Sequence, residues 1–151
     1  MAIEAKYAHT NIVARDWRVL ASFYERVLGC VPVPPERHYT GPALEAGTGA
    51  PGAKLDGVHL RLPGLGDAGP TLEIYTYTPG LAGAPARVNQ PGFGHIAFEV
   101  ASVGEAQAEI LREGGAAVGE VVTLTTAAGR RVTWCYVTDP EGNIIELQSW
   151  A

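Results

Sequence analysis

Two stretches decide the fold: YAHTNIVARDW at residues 7–17 and FGHIAFEVASV at residues 93–103. Each sets a histidine, His9 or His95, in a strand-like segment and reaches a helix-capping residue seven positions later, Asp16 or Ser102. Adding 86 to the first numbering gives the second, and the same offset carries Gly29 onto Gly115. Strand, cap, helix and stop therefore coincide without a gap. The spacing predicts helices over Trp17–Leu28 and Val103–Glu113; in the first, Leu20, Phe23, Tyr24, Val27 and Leu28 make one apolar stripe. The opening strands are expected over Lys6–Arg15 and Gly94–Val100.

Outward from these, Val31–Val33 reads as a short strand limited by Pro32, Pro34 and Pro35. Residues 34–53 read as a long loop with one helical turn around Ala43–Ala46. Strands follow at Lys54–Leu62 and Thr71–Thr78, with turn-rich Pro63–Pro70 between them. The second copy continues with strands at Val118–Thr125, Arg130–Thr138 and Asn143–Trp150. The closing strands match at a shorter offset, since Glu73 and Glu146 lie 73 residues apart. The 13-residue difference is an insertion that the loop after Val33 is expected to absorb. The fold expected is α+β, two βαβββ modules within one domain over 1–151. Module 1 spans about 6–78, a Pro/Gly-rich linker about 79–92, and module 2 about 93–150.

Apolar residues make up 46% and charged residues 18%, a globular mixture rather than a disordered one. No apolar run is long enough to span a bilayer, and Met1–Asn11 carries Glu4 and Lys6 without an apolar segment, so neither a membrane span nor a secretory signal is expected. A net charge of −5 with scattered Lys and Arg argues against nucleic acid. Cys30 and Cys135 lie far apart, which suggests neither a disulfide framework nor a zinc knuckle. Gly47–Lys54 lacks GK[ST] and a following helix, so it reads as a lid or turn, not a phosphate loop. A cytoplasmic protein acting on a small molecule is the expectation.

Four residues hold corresponding places in the two copies: His9 and His95 on the opening strands, Glu73 and Glu146 on the closing ones. Each glutamate lies between apolar neighbours that face the other way. A carboxylate in such a strand costs several kcal/mol, on the order of the penalty for any buried charge, unless something neutralises it. Arg61 or Arg131 could do so singly; a divalent cation does so for both glutamates at once. Two imidazoles and two carboxylates suit Zn, Ni, Co, Mn or Fe(II) and leave coordination sites open. Around this set, Tyr75 shares the face of Glu73, Trp134 and Tyr136 stand one pleat apart, and His59 and His38 flank the inserted loop. All five are candidate pocket residues.

The chain resembles the vicinal oxygen chelate superfamily, which includes glyoxalase I, methylmalonyl-CoA epimerase, fosfomycin-resistance proteins, extradiol dioxygenases and bleomycin-resistance proteins. Tyr7-Ala8-His9-Thr10-Asn11, the helix through Ser22–Gly29, Gly94-His95-Ile96-Ala97-Phe98 and Asp139–Leu147 carry the likeness. It implies paired modules curving around a metal, often in a homodimer. The ligand order His9, Glu73, His95, Glu146 is similar to that of glyoxalase I. The resemblance implies a lyase, isomerase or epimerase that moves a proton alpha to a carbonyl through a metal-stabilised enediolate. Glu146 or Glu73 serves as base, with Glu146 favoured by analogy. Glyoxalase I usually carries an arginine and an asparagine that help hold glutathione, where this chain has Val13 and Tyr77, so glutathione is not the expected handle. A resistance or ligand-binding module and an Fe(II) dioxygenase are the alternative readings.

Overall fold

The computed structural model describes residues 2–151. Strand β1 (His9–Val13) leads into helix α1 (Trp17–Leu28), then β2 (Val31–Thr40), α2 (Pro42–Thr48), β3 (Lys54–Arg61) and β4 (Thr71–Thr78). The Asp16 side chain accepts hydrogen bonds from the backbone N–H groups of Arg18 and Val19, donors that a helix start leaves unpaired. At the other end Gly29 takes the left-handed conformation, φ 69°, that stops the helix. The strands order β1-β4-β3-β2, with β1 parallel to β4 and the other pairs antiparallel. Helix α1 packs on β3 and β4, where Leu20, Phe23 and Tyr24 are buried with Val58, Leu60, Leu72 and Ile74.

The sequence then repeats the pattern: β5 (Ile96–Glu99), α3 (Val103–Arg112), β6 (Ala116–Ala117), β7 (Val122–Thr125), β8 (Arg131–Thr138) and β9 (Ile144–Trp150). Ser102 caps α3 by accepting from the N–H of Glu105. The order is β5-β9-β8, with β6 and β7 both pairing β8 as two pieces of one edge, and β5 parallel to β9. Helix α3 packs on β8 and β9, whose Cys135, Val137, Ile145 and Leu147 are buried. Buried Asp139 accepts from the backbone N–H groups of Glu141 and Asn143 and from the Asn143 amide, which fixes the β8–β9 turn. The chain divides into two compact units, the first ending at Ala82 and the second running Gly83–Ala151. Among the described residues no helix is long and apolar enough to cross a membrane.

Several expectations need correction. Residues 34–40 are strand, not loop: β2 runs through Pro34 and Pro35 to Thr40. An edge strand tolerates proline because one side of it needs no donor, and a register shift between Val33 and Arg37 takes up the irregularity. The single turn expected at Ala43–Ala46 is the whole of α2, and Gly47–Lys54 closes that helix at Gly49 and enters β3. β1 starts at His9 rather than Lys6, and β5 at Ile96, so His95 immediately precedes its strand. The insertion is also divided. His59 precedes Glu73 by 14 residues while Tyr136, at the matching register, precedes Glu146 by ten, which assigns four of the 13 to the β3–β4 turn.

Candidate metal centre

In the first unit, alternation puts Leu72 and Ile74 of β4 against α1 and turns Glu73 and Tyr75 to the opposite face. Asn11 of β1 and His59 of β3 stand beside Glu73 in register and share that face. Glu73, 9% exposed, accepts a hydrogen bond from Asn11 Nδ2 at 2.9 Å and lies 2.7 Å from His59 Nε2 and 3.6 Å from His9 Nε2. His59 is held at both nitrogens, with Thr71 Oγ1 3.1 Å from Nδ1 and the Tyr75 hydroxyl 3.1 Å from Nε2. Burial lowers the pKa of His59; the Glu73 charge opposes that, while Arg37 and His9 add to it. Burial pushes the Tyr75 phenol above its ordinary range, and its hydrogen bond with Glu73 pushes the same way. Gly57 makes room for this arrangement: a Cβ there collides with the Ile74 carbonyl and the Tyr75 ring.

The second unit builds the matching face differently. His95 Nε2 lies 2.8 Å from Glu146 Oε2, and the His95 ring lies 5.0 Å from Tyr136, which meets Trp134 edge-on at 5.1 Å. Ala97 and Tyr136 flank Glu146 in register, where Asn11 and His59 flank Glu73. Burial raises the Tyr136 phenol, with the Glu146 charge adding to it. Val132, Trp134, Tyr136, Glu146, Gln148 and Trp150 line a groove of about 240 Å³.

Within each unit the histidine–glutamate spacing suits two neighbouring ligands of a metal ion. Nitrogen and oxygen ligands about 2.1 Å from a metal stand about 3.0 Å apart at a right angle and about 3.4 Å apart in a tetrahedron. The His95–Glu146 separation of 2.8 Å and the His9–Glu73 separation of 3.6 Å lie close to those values. His9, His59 and Glu73 also offer ligand atoms within 4.8 Å of one another. The donors of each unit, taken by themselves, therefore fit ligation of a divalent cation.

Of the candidate residues, His9, His59, Glu73 and Tyr75 gather in the first unit, and His95, Trp134, Tyr136 and Glu146 in the second. His38 stands apart from the group in its own unit. It pairs in register with Asp56 on the α1 side of the sheet, with Asp56 2.6 Å and Glu36 3.2 Å from its ring nitrogens. Arg61, one possible partner for Glu73, reaches Asp67 instead. Asn11, Gln148 and Trp150 escaped the sequence reading, although each lies two or four residues from a candidate ligand on the same face. That alternation was the available signal.

The family model for the Glyoxalase/Bleomycin resistance protein/Dioxygenase superfamily matches residues 6–147. The chain belongs to this superfamily. A glyoxalase family protein from Bacillus cereus is 22% identical with a TM-score of 0.75, covering 99% of this chain and 95% of that one. One from Enterococcus faecalis is 23% identical with a TM-score of 0.57, over 95% and 96%. A glyoxylase/bleomycin resistance protein/dioxygenase domain from Frankia sp. EAN1pec is 16% identical with a TM-score of 0.62, over 99% and 100%. These likenesses establish the glyoxalase fold. No curated protein matches the sequence. Glyoxalase-superfamily members include both enzymes and resistance proteins, so membership alone leaves the activity to be argued from the residues.

Proposed function

We propose that this glyoxalase-superfamily protein is a divalent-metal-dependent lyase, isomerase or epimerase acting on a small oxygenated carbonyl compound. Its metal ligands are His9, Glu73, His95 and Glu146. One observation supports the reading: each unit sets a histidine and a glutamate at equivalent positions of the repeat, at separations of 3.6 and 2.8 Å that suit neighbouring ligands. When bound, a divalent ion acts as a Lewis acid that polarises a substrate carbonyl and makes its neighbouring C–H more acidic.

The two carboxylates divide the remaining work. Glu73 is tethered by Asn11 and His59. Among the described residues the one hydrogen-bonding or ion-pair partner of Glu146 is His95. A hydrogen bond to a charged acceptor contributes about 1.5–3 kcal/mol, so turning Glu73 away from its place costs more than turning Glu146. That difference supports Glu73 as the fixed ligand and Glu146 as the base that takes the proton and returns it.

The test follows solvent deuterium entering the alpha carbon of 2-oxo and 2-hydroxy carbonyl compounds by NMR, before and after chelation. Exchange is expected only in metal-restored protein and is expected to vanish in Glu146→Gln. Undiminished exchange in chelated protein or in Glu146→Gln overturns the reading.

A further inference from the structure

We infer that the groove of the second unit receives the aromatic body of the substrate, so that the substrate class is an aryl-substituted α-oxo or α-hydroxy carbonyl compound. This rests on the metal-dependent reading above and extends it from the reacting atoms to what they are attached to.

Register builds the groove. β8 and β9 pair Tyr136 with Glu146, Trp134 with Gln148 and Val132 with Trp150, so all six residues share one face. Half of them are aromatic. Two residues of strand advance about 6.8 Å, so along β9 the face runs about 14 Å from Glu146 to Trp150. An aryl group joined directly to the reacting carbonyl therefore falls beside Tyr136 and Trp134. Those rings already meet edge-on, and a third ring extends that arrangement.

Charge narrows the class further. None of the six lining residues is Lys or Arg, and the groove begins at a carboxylate. Arg130 lies over the Trp150 ring, 4.7 Å from its centre, at the far end. A phosphate or carboxylate carried on the body of a substrate finds no cation along the walls. What the walls do offer is an amide. The Trp150 indole N–H donates to Gln148 Oε1 at 3.2 Å, which orients that side chain and leaves its NH₂ to meet a substrate oxygen.

The first unit supplies the contrast. Its matching positions are Gly57 and Tyr75, and there the tyrosine ring itself fills the space over the glycine. The aromatic slot therefore belongs to the unit whose glutamate is the less tethered.

Calorimetric titration of phenylglyoxylate and of pyruvate tests this, in Co(II)-loaded and in metal-free protein, with Co(II) uptake read independently from its visible spectrum. Phenylglyoxylate is expected to bind loaded protein at least about tenfold more tightly than pyruvate. That preference is expected to collapse in Trp134→Ala, to survive in Trp134→Phe and to weaken in Gln148→Leu, with circular dichroism confirming each fold. Equal affinities, no phenylglyoxylate binding to loaded protein, or a preference unchanged in Trp134→Ala overturns the inference. Co(II) uptake without aromatic preference removes this inference and leaves the metal reading standing. A Trp134-dependent preference in protein that takes up no Co(II) upholds the slot and removes the metal reading instead.

Discussion

At the scale of single residues, the difference between Glu73 and Glu146 comes from their neighbours rather than from themselves. Partners that orient a ligand typically change metal affinity by about 10–100-fold when lost. His59→Ala is therefore expected to weaken Co(II) binding by about tenfold or more, while His59→Gln, which keeps a donor, retains most of it and Tyr136→Phe leaves it near wild type. A Co(II) titration of the three variants decides this; equal affinities for His59→Ala and wild type remove His59 from any positioning role. The cysteines give a second expectation. Burial pushes the Cys30 thiol up to about 11 and raises Cys135, and both side chains are buried. Both are expected to resist a disulfide reagent at pH 8 in native protein and to react promptly in urea. The His9 and Glu73 pairing was legible because alternation along a strand assigns each residue a face. The same alternation puts Asn11 on the face of His9, but the contacts that Asn11 and His59 make with Glu73 were not legible, because they depend on cross-strand register, which the turn lengths fix.

Elements show the same division between local and tertiary information. Both long helices were legible because cap, stripe and stop are local signals. β2 was legible only at Val31–Val33, since the prolines that follow argue against a strand until its place at the sheet edge is known. Its sequel is an exposed ionic cluster: Arg18 meets Glu36, and His38 meets Glu36 and Asp56, with Lys54 beside Asp56. The hydrogen bond to Asp56 leads in raising the His38 pKa; the bond to Arg18 lowers that of Glu36, and the bond to His38 that of Asp56. A raised histidine stabilises the fold below its unfolded pKa of about 6.5 and loses that contribution as pH climbs through the higher folded value. The lowered carboxylates contribute above about pH 4 and lose it as pH falls through their folded values. His38→Gln is therefore expected to lower the Tm at pH 5.5 and to match wild type at pH 9; a gap constant across that range refutes the linkage. In β3 the constraint is steric. Gly57→Ala forces a methyl into the Ile74 carbonyl and the Tyr75 ring, and is expected to cost about 1–3 kcal/mol in urea unfolding, as overpacked sites do. A neutral result there means that the Tyr75 ring moves aside freely.

For the whole molecule, one duplicated unit accounts for the shared strand order, the two capped helices and the repeated histidine–glutamate pair. The 86-residue offset made that duplication legible without a second sequence. What divergence then did to each copy was not legible, because replacing Asn11 by Ala97 and His59 by Tyr136 leaves every strand signal intact. The four-ligand proposal makes a demand on both copies that neither meets alone. A cation present at about 1,000 times its Kd adds about 4 kcal/mol to stability, or on the order of 10 °C in Tm for a chain of this size. Wild type is expected to gain that increment with added Co(II) and to lose it on chelation. His9→Ala and His95→Ala are each expected to forfeit most of it, because each removes one of four ligands from the same ion. Were His95→Ala to keep the full increment while His9→Ala lost it, the cation would belong to the His9, His59 and Glu73 cluster of the first unit. His95 and Glu146 would then be a hydrogen-bonded pair with no part in holding metal.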